Sequence, residues 1–444
     1  MLQRVLRTLA GACALLPLVG RPALALPAFA EQTGQTCSTC HVGAFGPQLT
    51  PFGRRFKING YTLRANPDAI PLSVMTQLSF VHTAKDQAGP PAPHYAPNDN
   101  ATIDQISAFI AGGYGDHVGG FAQFTYDGVG RSFSWDNLDL RVVDQTTLDG
   151  TDVTVGLGLN NNPTVEDSWA TLPAWGFPFT TSKLAPAPGA SPILAGSFAQ
   201  NVVGLSAYAW WDSEVYAEVA LYRSLSAGML RPLGIDPGAT NLIDGVAPYA
   251  RLAYQKDLTD QNFEIGAFVL AVDQFPGRDQ SAGRSDHIAD VGVDASYQYI
   301  GTGDNIFTAN ARYTHEQQGL AASQALGLAT NRNDSLSEFV LNGSYYWENT
   351  IGATIARFQT WGSRDALLYS GNRTFKPDSA GFIFQVDGTP FGKADPPLGT
   401  RVNVRLGLQY FVYTQFNGAG ANFDGSGRSA ADNDTFRLFA WMAF

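Results

Sequence analysis

The chain has 444 residues, 44% of them hydrophobic, 12% aromatic and only 15% charged, with 47 Gly, 25 Pro and three Cys. That is too apolar and aromatic for disorder, and no Gly/Ser- or Pro-rich linker divides it after residue 70, so one large domain is expected. Beyond the N-terminus no stretch approaches the roughly 18 uninterrupted apolar residues of a membrane-crossing helix, which excludes a helical membrane protein.

Residues 1–25 read as a secretory signal: Arg4 and Arg7, an apolar run from Leu9 to Val19, then Ala23-Leu24-Ala25 as a small-x-small cleavage site, with Ala28-Phe29-Ala30 as a second option. Cleavage would remove Arg4, Arg7 and Arg21 and no acid, moving the formal charge from −11 to −14 and disfavouring nucleic acid as a partner. Cys13 sits inside the apolar run without lipobox neighbours, so it is expected to leave with the signal.

Only Cys37 and Cys40 would survive maturation, and His41 follows at once, giving Cys37-Ser38-Thr39-Cys40-His41. This is the attachment pattern of a c-type haem: two thiols spaced to meet two vinyl groups, and an adjacent imidazole for the iron. A zinc site would need a fourth ligand and usually a second Cys/His pair; a thioredoxin-like redox pair would need a βαβ pattern; a plain disulfide in an exported chain is the open alternative. The motif and the export signal together favour one covalent haem c, held by Cys37 and Cys40 with His41 on the iron.

Thr50 to Tyr61 carries helix punctuation, with Thr50 as cap, Pro51 in the first turn and Gly60 as stop. Phe52 and Phe56 share a face suited to covering a haem plane; Arg54, Arg55 and Lys57 would meet propionates or wall carboxylates, or else form a solvated basic turn. Residues 26–70 are too few to build a core around a haem, so something else must wall it in.

Strand-like alternation begins at Leu72. Val215, Ala217, Val219 and Leu221 oppose Glu214, Tyr216, Glu218 and Tyr222; Val402, Val404, Leu406, Leu408, Tyr410 and Val412 oppose Arg401, Asn403, Arg405 and Gln409. About sixteen such strands are joined alternately by tight turns (Gly115 to His117, Trp211 to Ser213, Gly301 to Asp304, Asn349-Thr350) and long loops (Lys85 to Asn100, Ser224 to Asp244, Gln317 to Asn333, Asn417 to Asn433). One connection, Gly388 to Gly399, is long on the short-turn side. The pattern predicts an all-β, about 16-stranded antiparallel outer-membrane barrel over 71–444, preceded by the short haem segment as a plug. The longest loop, Asn160 to Ala195, is expected to fold inward, and the chain closes on a strand ending at Phe444.

These residues resemble the fused outer-membrane cytochrome-porins of the iron-oxidising type. The likeness runs from Phe29-Ala30-Glu31-Gln32-Thr33-Gly34 through Cys37-Ser38-Thr39-Cys40-His41, then Leu49 to Lys57 and Gly60-Tyr61-Thr62. A second stretch pairs Asn160-Asn161-Asn162-Pro163-Thr164-Val165 with Pro173-Ala174-Trp175-Gly176-Phe177-Pro178. Glu31 stands where these proteins often carry arginine. The resemblance implies electron transfer across the outer membrane, with an extracellular donor such as Fe(II), a periplasmic cytochrome as acceptor, and iron-oxidising activity. The alternatives are a passive porin with a haem-bearing structural plug and a soluble periplasmic haem enzyme.

On the first strand Leu72, Val74, Leu78 and Phe80 are expected to face lipid, so Ser73, Met75 and Gln77 face the lumen; Met75 is the candidate distal iron ligand, with ordinary packing as its other reading. His82 shares the lipid parity, and His94, His117, His287 and His315 are scattered. Asp424, Asp432 and Asp434 cluster in the last long loop, either as a metal site or as a solvated acidic loop. For the haem to serve both sides, its segment is expected inside the barrel near the outer mouth or the middle.

Overall fold

The computed structural model describes residues 27–392 and 402–444. The signal segment with its cleavage site, Arg401 and most of the Gly388 to Gly399 connection lie outside these residues.

Seventeen strands form one sheet. β1 (Leu72–Thr83) pairs antiparallel with both β2 (Asn100–Tyr114) and β17 (Thr435–Ala443), closing the sheet on itself. β8 (Leu242–Ile243) is a two-residue addition, and β7 (Val215–Ser224) pairs directly with β9 (Ala247–Asp257), so sixteen strands of the described residues build the barrel wall. Closure leaves no free edge, which is the condition for strands to cross a bilayer.

The alternation expected from sequence is the alternation observed. On β1, Ser73, Met75, Gln77, Ser79, Val81 and Thr83 are buried inward. On β7, Tyr216, Glu218, Ala220 and Tyr222 point in, while Val219 is 60% exposed outside. Leu205 at 67% and Ile265 at 60% continue the same outward apolar surface. Water would not tolerate an apolar surface that runs all the way round; hydrocarbon does. Aromatic side chains rim it at both ends, with Trp211, Phe263, Phe307 and Trp347 by the short turns and Phe133 near the long loops. The protein is a bacterial outer-membrane β-barrel, its short turns periplasmic and its long loops outside. One outer connection, residues 128–131 between β3 (Val118–Asp127) and β4 (Ser132–Leu148), is as short as a turn.

Two segments fill the lumen. Residues 161–201, between β5 (Thr151–Asn160) and β6 (Val202–Trp211), fold inward. Arg251 on β9 holds them: it pairs with Asp167 at 3.3 Å as well as with Glu264 at 3.2 Å and Asp294 at 2.7 Å, and stacks on Trp169. Backbone N–H groups of Ile193 and Leu194 donate to Glu316 and Asp290 across the barrel. The second segment, residues 27–70, holds α1 (Pro27–Thr33), α2 (Cys37–Cys40) and α3 (Pro51–Ile58).

This second segment sits at the periplasmic mouth, which corrects the expectation of an outer or middle position. Its partners lie at the short-turn end: Asn349, in the turn after β13 (Asn333–Trp347), donates to the carbonyl of His41 at 3.1 Å and accepts from the N–H of Gly43. Thr389 and Asn403 bind the carbonyls of Gly43 and Ala44. The physical reason is chain connectivity, since residue 70 must feed β1 from its periplasmic end.

Candidate functional site

α2 presents Cys37 and Cys40, and His41 follows in extended conformation (φ −123°, ψ 135°), turning its ring away from the helix. α3 is capped as its sequence requires: Thr50 Oγ1 accepts from the N–H of Gly53 at 3.2 Å, and Pro51 fills the first turn. Gly53 is the hinge of this packing, since a Cβ there would stand 2.3 Å from the carbonyl oxygen of Cys40. Gly43 has φ +72° and lies against the Tyr346 ring, where a side chain would be both strained and blocked.

Cys37, Cys40, His41 and Met75 line one cavity of about 420 Å³ inside the barrel mouth. That size falls within the range of small-molecule and cofactor sites, roughly 300–1,000 Å³. Its walls are aromatic: Phe56 and Tyr61 from the plug, Phe121 and Trp441 from the strands, Trp175 and Phe179 from the inward loop. Phe29 stacks on Tyr61 at 5.1 Å, Phe45 meets Trp441 at 4.8 Å, and Phe121 meets Trp175 at 6.3 Å. One part of the lining is polar, with Gln77, Gln105, Gln123 and Asn137.

The residues fit a covalent haem. Both cysteines are free thiols. Burial pushes each thiol up, Cys40 to about 12. Burial also pushes the His41 imidazole down to about 4, keeping it in the neutral form that ligates metal. Among the described residues His41 Nδ1 is buried with no hydrogen-bond partner, and so is the indole N–H of Trp441.

Of the other sequence candidates, Phe56 lines the cavity and Phe52 does not. The basic residues of α3 are not a solvated turn. Arg54 is buried and donates to Gln298 at 2.9 Å with Asp257 at 3.4 Å; Lys57 lines the cavity and donates to the carbonyls of Val165 and Asp167 at 2.7 and 2.6 Å. Arg55 is exposed beside Asp257. None of His82, His94, His117, His287 and His315 lines the cavity. The aspartates of the last loop serve the loop itself: Asp424 binds Ser426, Asp432 caps at Ser429, and Asp434 accepts from the N–H of Tyr413. No cluster of metal-ligating side chains occurs among the described residues. Sequence reasoning missed Tyr61, Phe121, Trp175 and Trp441 as cavity walls; the repeated aromatic residues of the plug and the inward loop were the available signal.

No protein-family model matches the chain, and no curated protein matches it. Among solved structures it is similar to the loop L8 deletion mutant of OmpT, an outer membrane protein of Vibrio cholerae, at 8% identity and TM-score 0.46, over 84% of this chain and 98% of that one. It is also similar to the outer membrane channel DcaP of Acinetobacter baumannii (11%, TM-score 0.45, 84% and 96%) and to Salmonella typhi OmpF in complex with daunomycin (13%, TM-score 0.46, 84% and 97%). These are distant likenesses of shape.

Proposed function

We propose that this protein is an outer-membrane c-type cytochrome fused to its own barrel, passing single electrons between a donor outside the cell and a carrier in the periplasm. The observation that supports it is the convergence of Cys37, Cys40, His41 and Met75 on one aromatic-walled cavity. A haem c bound there would supply a one-electron couple inside a layer that soluble carriers do not cross. Cys37 and Cys40 would anchor it, and His41 would offer a neutral imidazole. Met75 offers a thioether from the barrel wall. Phe56, Tyr61 and Trp175 would cover the haem with apolar rings. On the periplasmic side the residues from Gln35 to Cys40 are only half-buried and Gly34 is exposed, so a periplasmic carrier has a short approach. Fe(II) as donor and a periplasmic cytochrome as acceptor are the partners that the sequence resemblance suggests.

The second reading is a passive porin whose N-terminal segment is a structural plug, favoured by the sixteen-stranded wall with its polar lumen. The packed interior weighs against it: inward side chains such as Asp139, Gln298, Gln409 and Arg437 are fully buried. The test is a haem stain of outer-membrane fractions, followed by spectra during Fe(II) addition to protein in liposomes that enclose an electron acceptor. The expected result is a haem covalently attached in the parent, none in Cys37→Ala with Cys40→Ala, and reduction of the enclosed acceptor only by the parent. Absence of haem, or ion conductance without redox cycling, would favour the porin.

A further inference from the structure

The cavity runs from the plug up the wall as far as Gln105 and Asp136, but on the side of β14 (Ile351–Gly362) and β16 (Asn403–Gln415) only Asn403 lines it, and the inward loop at Phe179 and Thr180 stands between it and the last outer loops. We infer that a file of six aromatic side chains, Phe179, Phe177, Phe358, Tyr413, Phe416 and Phe423, conducts the electron between those loops and the cavity; the inference rests on the haem reading above.

The file consists of two runs of touching rings, Phe179 with Phe177 and Phe358 through Phe423, joined through one apolar cluster. Phe179 lines the cavity, and its ring lies 5.4 Å from that of Phe177. Phe358, pointing inward from β14 (Ile351–Gly362), packs against the cluster that holds Phe177, Ala356 and Ile383. From Phe358 the spacing to Tyr413, near the outer end of β16 (Asn403–Gln415), is 5.8 Å. Tyr413 meets Phe416 at 5.0 Å, and Phe416 meets Phe423 at 5.1 Å. Phe423 lies in the last outer loop beside exposed Ala421 and half-buried Asp424. Within each run these are the separations of touching rings, and the step from Phe177 to Phe358 crosses the shared cluster.

The rings also pack the loops against the wall, as the larger apolar cluster around Leu172 and Phe198 does, but here they are aromatic at every step. Barrel lumens are polar, and the inward side chains of β11 (Asp286–Tyr299) are, apart from Ile288 and Gly292, Asp, Ser and Gln. The six rings come from the inward loop, two separate strands and an outer loop, and they share two adjoining apolar clusters. The Tyr413 hydroxyl donates to the carbonyl of Pro186 at 2.8 Å, fixing the ring between its neighbours. Electronic coupling falls steeply with every gap between orbitals, and contacting π systems leave the smallest gaps. One electron would leave an external reductant, oxidising it by one unit, and would reduce by one unit a ferric haem held by Cys37, Cys40 and His41. No ring need lose a proton, and Tyr413 keeps its hydroxyl bond.

The test uses the full-length protein in liposomes with its loops facing the medium and a membrane-impermeant one-electron reductant added outside. Tyr413→Leu and Phe358→Leu are each expected to slow reduction of the haem from outside at least tenfold, with the haem spectrum, potential and reduction from the periplasmic face unchanged. Tyr413→Phe keeps the ring and is expected to retain the parental rate within about twofold. Phe198→Leu removes a buried ring outside the file and controls for packing. Parental rates in both leucine variants, with haem attached and the barrel folded, would overturn the file while leaving the haem reading intact. A parent without haem would overturn the haem reading itself, and the file with it. Should Phe358→Leu fail to fold, Tyr413→Leu against Tyr413→Phe decides alone.

Discussion

Arg405, on the inner face of β16, donates to the backbone carbonyl of Phe45 at 2.6 Å while its Nε bonds Asp387 at 2.8 Å. Phe45 is four residues past His41, so one buried guanidinium ties the position of residues 37–41 to the barrel wall. A third bond, to the Tyr346 hydroxyl at 2.5 Å, reaches the ring that lies against Gly43. Plug and wall are therefore a single packed unit at the periplasmic mouth.

The first prediction follows from that tie. Arg405→Leu leaves the Asp387 carboxylate buried without its ion-pair partner, and losing one member of a buried pair typically costs about 3–5 kcal/mol. The sheet keeps its strand pairing, so the loss should fall on plug docking. Limited proteolysis is expected to cut the variant between residues 34 and 70 while the barrel stays resistant; equal resistance of plug and barrel would contradict the tie.

Alternation of side chains made the barrel and the lumen parity of Met75 legible in the sequence, because each depends on spacing within a few residues, while the inward fold of the long loop was expected from its length and its place in a sixteen-stranded porin pattern. Alternation did not tell the level of the plug. That is set by contacts such as Asn349 to His41, which join residues some 300 positions apart and exist only after the sheet closes. The same holds for Trp441, brought to the cavity by the pairing of β17 with β1. Arg54 stayed open between a wall carboxylate and a solvated basic turn, because helical spacing says nothing about which face meets a wall; the structure gives it Asp257 and Gln298.

The second prediction concerns pH. Burial holds the His41 imidazole down at about 4, below its ordinary 6.5, so the docked plug prefers the neutral ring. The unfolded segment then binds more protons than the docked one between these values, and docking loses stability as pH falls from about 6.5 to about 4, roughly 3 kcal/mol in all. In the Cys37→Ala, Cys40→Ala double variant, where no covalent haem holds the ring, the plug is expected to become protease-sensitive below about pH 6. Adding His41→Gln should flatten that profile. A plug equally protected at pH 4.5 and 7.5 in the double variant would rule out this linkage.

The third prediction separates the two readings of Met75. Its side chain is buried in the cluster that includes Phe56, Tyr61 and Trp441, and it lines the cavity with His41. Met75→Leu conserves volume, so packing should change by less than about 1.5 kcal/mol, but it removes the thioether. If Met75 ligates the iron opposite His41, the leucine variant loses the spectrum of a His/Met haem and its potential falls, because thioether ligation raises the potential. Met75→Ala should show the same spectral loss together with a cavity cost of about 2–5 kcal/mol in stability. A packing residue gives the reverse pattern: a silent leucine variant and an alanine variant that is only less stable. The expected outcome is a changed spectrum in both variants at nearly parental stability in Met75→Leu, read from reduced-state absorption and thermal unfolding of the same preparations.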